Sequence, residues 1–124
     1  MFSTLCWIAA GGAVGAVARF GVVSGADRLG FAFPWGTLVV NVFGSFLIGL
    51  ALGALAHHAR FDDIVRPFFV VGVLGAFTTF SAFSMETLVL LDDDRWLPAA
   101  GYVAASVVVC VLAAWAGHRL AVPA

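Results

Sequence analysis

The sequence predicts an all-α membrane protein with four transmembrane helices per chain. Three observations lead there. Of the 124 residues, 63% are hydrophobic and only 10% are charged, whereas a soluble domain carries about 25% charged residues. The mean hydropathy is +1.08. The apolar residues gather into four windows of about 20 residues, the length a helix needs to cross the hydrocarbon core. These windows consume most of the chain. Residues 1–124 are therefore expected to form a single four-helix transmembrane domain, with its function inside the membrane.

The first window covers about residues 5–23, from Leu5 to Val23. Ala16-Val17-Ala18 has the look of a signal-peptide cleavage site, but no Arg precedes it to make a positive n-region, so a retained span is expected. The second window covers 34–56, the third 67–91 and the fourth 98–122. These three open on Pro34, Pro67 and Pro98, at the first helical turn, where the missing N–H costs nothing. The breaks are short and polar: Ser24 to Gly30, His57 to Arg66, and Asp92 to Arg95. The run Asp92-Asp93-Asp94 reads as solvated loop and helix-start charge. Short breaks make neighbouring spans antiparallel and put both termini on one side.

Charge excludes several functions. The net charge is −1 and all six basic residues are Arg, so no basic field exists to hold nucleic acid. Cys6 and Cys110 lie far apart in apolar runs and read as small buried residues, neither disulfide nor metal ligands. His57, His58 and His118 fall at span ends, away from any nucleophile, and no pair of carboxylates lies at membrane depth. The chain is not expected to be an enzyme. Orientation carries a different message. One side collects Arg60, Arg66 and Arg119, and the other Arg19, Arg28 and Arg95. The positive-inside bias is nil. Either the signal is weak, or copies insert both ways and pair antiparallel.

Polar residues at membrane depth are costly and face a partner or a pathway. In the first span, Gly12, Gly15 and Arg19 share one face, the glycines permitting close helix approach. Arg19 either snorkels to the headgroups or lends charge to a vestibule. In the second span, Thr37, Asn41, Gly44 and Ser45 form one stripe. The Asn41 carboxamide must be hydrogen-bonded there, as interhelical glue or as a pore donor. Gly49 and Gly53 read as packing.

The third span holds Gly72, Gly75, Thr78, Thr79, Phe80, Ser81, Phe83, Ser84 and Glu86. Gly and two β-branched Thr make a poor uninterrupted helix, so the third helix is expected to break near its middle, over Gly75 to Thr79. Such breaks are tolerated where a cavity or protein satisfies them, and they often bind ions. Phe80 and Phe83 are i, i+3 neighbours with Glu86 one turn on. Core packing accounts for paired Phe but not for the hydroxyls between them. In the fourth span, Tyr102, Ser106 and Cys110 repeat at i, i+4, i+8; Tyr102 also suits an interfacial anchor. Amide and hydroxyl donors with positively edged phenyl rings suit a small anion. Four short spans hardly enclose such a path, which points to a dimer.

Three stretches carry a family resemblance: Gly11-Gly12-Ala13-Val14-Gly15-Ala16-Val17-Ala18-Arg19-Phe20, Pro34-Trp35-Gly36-Thr37-Leu38-Val39-Val40-Asn41-Val42-Phe43-Gly44-Ser45-Phe46, and Gly75-Ala76-Phe77-Thr78-Thr79-Phe80-Ser81-Ala82-Phe83-Ser84-Met85-Glu86-Thr87. With these motifs in order, the chain resembles the Fluc/CrcB family of bacterial fluoride channels from end to end. Phe20 stands where that family often has Tyr or Trp. The resemblance implies an antiparallel, dual-topology homodimer in the bacterial inner membrane, passing fluoride through two pores. It implies pore roles for Asn41, Phe80 and Phe83, a polar track of Thr37, Ser81, Glu86, Tyr102 and Ser106, and a vestibule role for Arg19. It also implies a structural sodium ion at the dimer interface, held by backbone carbonyls of Gly75 and Thr78. The rival reading is a small four-span proton-coupled multidrug exporter. That mechanism wants a deep acidic residue, and Glu86 is the only candidate.

Overall fold

The computed structural model describes residues 1–55 and 64–122, and every regular element among them is helical. Helix α1 spans Phe2–Asp27 and α2 spans Trp35–Leu55. Helix α3 spans Arg66–Leu74 and continues through the turn Gly75–Phe77. Helices α4 and α5 span Phe80–Asp92 and Trp96–Ala121. His57, His58 and Arg60 lie outside the described residues.

Four segments are long and apolar enough to cross a membrane: α1, α2, the stretch Arg66–Asp92, and α5. The 26 residues of α1 and of α5 make rods of about 39 Å, longer than the roughly 30 Å hydrocarbon core. Both ends of α1 run past the window read from hydropathy. Arg19 therefore lies about two turns inside the helix rather than one. Large apolar side chains face outward along every helix, among them Val17, Val71, Leu88 and Leu112. A water-facing surface would not carry them, and hydrocarbon would. Cys6 belongs to this outward surface, which corrects its reading as a buried residue.

In hydrocarbon, apolar burial gives helices little reason to associate, so close backbone approach has to hold them. The helices pair accordingly, α1 on α3 and α2 on α5. A Cβ at Gly11 would strike the Phe68 carbonyl, and one at Gly15 the Val73 carbonyl. Gly12 faces open space, so the α1 contact face is Gly11 with Gly15 and not Gly12 with Gly15. Between α2 and α5 the approach is reciprocal. Gly49 abuts the Ala114 carbonyl and Gly117 abuts the Phe46 carbonyl. Contacts advance in the same direction along each pair, so its two helices run parallel. Helix α4 runs antiparallel to both α2 and α5.

Helix α3 is wound as a π-helix over Arg66–Leu74. Pro67 stands in its first turn, where no backbone N–H is needed, and Gly72 sits against the Gly11 backbone. The chain leaves α4 through a Schellman turn. The Arg95 N–H donates to the Leu90 carbonyl and the Asp94 N–H to the Leu91 carbonyl. Asp94 takes φ 58 in this turn, the left-handed region. The three aspartates are exposed, but they close α4 rather than open α5.

Candidate functional site

The third crossing changes character at two residues. Gly75–Phe77 is helical, so less of the stretch unwinds than the composition suggests. Thr78 (φ −81°, ψ 155°) and Thr79 (φ −153°, ψ 119°) are extended. Local chemistry favours this. The Thr78 hydroxyl donates to the Leu74 carbonyl at 2.9 Å, an alternative to continuing the backbone ladder. Thr79 then caps α4, its Oγ1 accepting from the Ala82 N–H at 3.1 Å. It also lies 3.1 Å from the Ser81 hydroxyl.

Helix α2 holds the extended pair. Asn41 Nδ2 donates to the Thr79 carbonyl at 3.0 Å, and the Thr79 N–H donates to Asn41 Oδ1 at 2.7 Å. A carboxamide has two donors, so one Asn41 N–H is not used in this pair. One turn on, a Cβ at Gly44 would strike the Thr78 methyl. In a regular helix the Thr79 N–H would close the turn on the Gly75 carbonyl; here Asn41 takes it. The break thus presents two helix ends. The carbonyl end of Gly75–Phe77 is partly negative, and the N–H end of α4 is partly positive.

Beyond the break, α4 faces α2 and α5. The carboxylate of Glu86 is clamped between two hydroxyls. Thr37 donates to Oε1 and Tyr102 donates to Oε2, each at 2.6 Å. Both donors are 0% exposed. Bonds this short to a carboxylate are charge-assisted. Rings line up beside the clamp. Phe80 and Phe83 lie 5.2 Å apart, as do Phe83 and Tyr102. Phe33 closes the row, 5.4 Å from Tyr102 and edge-on at 80°.

The residues singled out in the sequence divide between two cavities. One, of about 400 Å³, is lined by Asn41, Ser45, Phe80, Phe83, Ser106 and Cys110. The other, of about 500 Å³, is lined by Arg19, Thr37, Ser81 and Glu86, with Asp27 beside them. Thr79 borders both. Tyr102 joins the two through Glu86 and Phe83. Gly75 and Thr78 sit at the break, Gly75 on its exposed side.

Hydrogen bonding narrows the set of usable donors. The Ser84 hydroxyl donates to the Phe80 carbonyl, and Thr87 donates to the Phe83 carbonyl. Ser106 differs. Its Oγ is buried and has no hydrogen-bond partner among the described residues, an expensive state unless a ligand uses it. It lines the first cavity with the edges and faces of Phe80 and Phe83. Such a cavity offers an anion a hydroxyl, an amide N–H, a helix N-terminus and aromatic edges. Among the described residues no cluster of His, Cys, Asp or Glu side chains is placed to hold a metal.

Two participants carried weaker signals. Thr79 sits directly before an apolar run, an N-cap signature, yet its pair of hydrogen bonds to Asn41 spans 38 positions. Phe33 lies in a connection and belongs to no helical stripe.

The family model described as "CrcB-like protein, Camphor Resistance (CrcB)" matches residues 6–118. A protein of Opitutus terrae named "Fluoride-specific ion channel FluC" is 50% identical over 124 residues, covering 97% of this chain and 93% of that one. Proteins of the same name from Magnetococcus marinus and Alteromonas mediterranea are 49% and 50% identical, covering 91% and 93% of this chain and 93% and 91% of their own. With the motifs, the break and the near-complete match together, the chain belongs to the CrcB-like family of membrane proteins.

Proposed function

We propose that the protein is a fluoride-selective channel that lets cytoplasmic fluoride leave a bacterium passively through its inner membrane. The observation that carries this is the buried, unpartnered hydroxyl of Ser106, a residue that lines one cavity with Phe80, Phe83 and Asn41. Relatives about half identical over nearly their whole length bear the name of fluoride channels. A small, strongly hydrated anion needs several close donors to replace its water. Ser106, Asn41 and the aromatic edges supply them without a fixed positive charge that would trap the ion, the balance conduction requires. Arg19 stands in the second cavity, where it sets a positive charge against the carboxylates of Glu86 and Asp27.

The conducting unit in this reading is an antiparallel homodimer of dual topology. Phe80 is 77% exposed in the single chain, so the first cavity lacks a wall that a second copy would supply. The even division of Arg between the two sides removes any bias for one orientation. The break completes the picture. The carbonyls of Gly75 and Thr78 sit at a helix C-terminus, where oxygen donors and the dipole suit a hard cation. Gly75 leaves room there, since a Cβ would come no nearer than 3.8 Å to its closest neighbour. These groups fit a structural sodium ion shared between two copies, whose chemistry would be charge neutralisation at the interface. A proton-coupled exporter fits less well, because Glu86 is held by two buried hydroxyls rather than offered to cargo.

Purified protein in liposomes loaded with potassium fluoride or chloride tests the reading. Fluoride should escape rapidly once charge is compensated by an ionophore, chloride barely, and neither should need a pH gradient. Equal escape of the two ions would remove the selectivity.

A further inference from the structure

Two connections at one membrane face are tied together. The Arg95 guanidinium donates to the Ala32 carbonyl, 63 positions away in the chain. Arg95 is aimed there by the Schellman turn, through its own N–H on Leu90. The next residue, Phe33, is held by a tight turn in which the Trp35 N–H donates to the Phe33 carbonyl at 2.8 Å across Pro34. Its ring packs on the buried cluster of Leu90, Ala99 and Tyr102. Tyr102 is thereby wedged by two ring contacts, Phe83 at 5.2 Å and Phe33 at 5.4 Å. A wedged ring has one direction for its hydroxyl, and that direction is Glu86.

We infer that Phe33 is a positioning residue for the Thr37–Glu86–Tyr102 clamp, and that the Arg95–Ala32 hydrogen bond is the latch that keeps it in place. The inference rests on the fluoride-channel reading for its functional consequence, not for its geometry. Without Phe33, the Tyr102 ring loses its stop on the side of the connections, water reaches it, and its hydroxyl no longer stays on Glu86. Glu86 then rearranges between the two cavities. Fluoride would meet a less ordered path.

Tyr102 is the only tyrosine in the chain. Tyrosine labelled with ¹³C at Cζ therefore gives a single resonance that reports its hydroxyl bond. Glu86→Gln sets the position of the weakened bond. Phe33→Ala should move the resonance toward that position and slow fluoride efflux by roughly tenfold, the upper range for losing an edge-to-face ring contact. Phe33→Trp, which keeps an aromatic stop and adds no second tyrosine, should leave both near the wild type. Arg95→Met, which removes one surface hydrogen bond and spares the core, should move both in the same direction by less. In a Tyr102→Phe background, Phe33→Ala should add little further loss of flux. A Tyr102 resonance unmoved in Phe33→Ala and Arg95→Met, or a loss of flux equally large in the Tyr102→Phe background, would overturn the positioning role. Wild-type liposomes that hold their fluoride would instead overturn the channel reading, whatever the resonance does.

Discussion

Asn41→Ala removes the side chain that satisfies both backbone groups of Thr79, the N–H at 2.7 Å and the carbonyl at 3.0 Å. In a soluble core, two orphaned groups would cost about 2–6 kcal/mol. Within a bilayer the cost is smaller, because the unfolded helices also find partners there; measured interhelical hydrogen bonds average about 0.6 kcal/mol and reach about 1.7 kcal/mol each. Two bonds then place the loss near 1–3 kcal/mol. The substitution also removes the spare amide N–H from the first cavity, so flux should fall along with stability. Asn41→Asp removes the amide donor alone. It keeps an acceptor for the Thr79 N–H but sets a carboxylate against the Thr79 carbonyl. It should be no more stable than Asn41→Ala and should conduct poorly. The assay is reversible unfolding in mixed micelles, followed by helicity, beside fluoride efflux from liposomes. A stability loss below about 0.5 kcal/mol for Asn41→Ala, under the value of a single membrane hydrogen bond, would refute the claim that Asn41 holds the break.

Other outcomes follow from single contacts. Phe80→Ile should cripple fluoride efflux while leaving the assembled protein unchanged by size-exclusion chromatography, since isoleucine keeps an apolar side chain at this exposed position. Gly49→Leu should prevent α2 and α5 from approaching, because even a Cβ strikes the Ala114 carbonyl. A loss of several kcal/mol or failure to fold is expected in the same unfolding assay. Asp94→Gly should stabilise by about 0.5–1 kcal/mol, because it relieves a side chain at φ 58 and takes an acid off the negative end of α4.

The spans were legible because hydrocarbon demands unbroken apolar length and the prolines mark where helices start. The outward surface and the stripe Thr37-Asn41-Gly44-Ser45 follow from composition and period alone. Contacts between distant segments were not legible. Period 3.6 puts Asn41 on a face, but nothing local says that both its polar ends go to Thr79. Gly12 and Gly11 are adjacent in a run of small residues, and only the position of α3 selects Gly11. Gly75 carried the composition of a break, yet the helix persists to Phe77 and ends where the Thr78 and Thr79 hydroxyls find local partners. Phe33 and Arg95 sit in connections, where periodicity says nothing.

The most direct measurement is fluoride and chloride efflux from liposomes holding equal amounts of both ions, with wild type and Phe80→Ile side by side. Wild type should release fluoride rapidly and retain chloride, and Phe80→Ile should retain both. Wild type that releases the two ions together, or Phe80→Ile that releases fluoride at the wild-type rate, would contradict a fluoride path along the Phe80, Phe83 and Ser106 cavity.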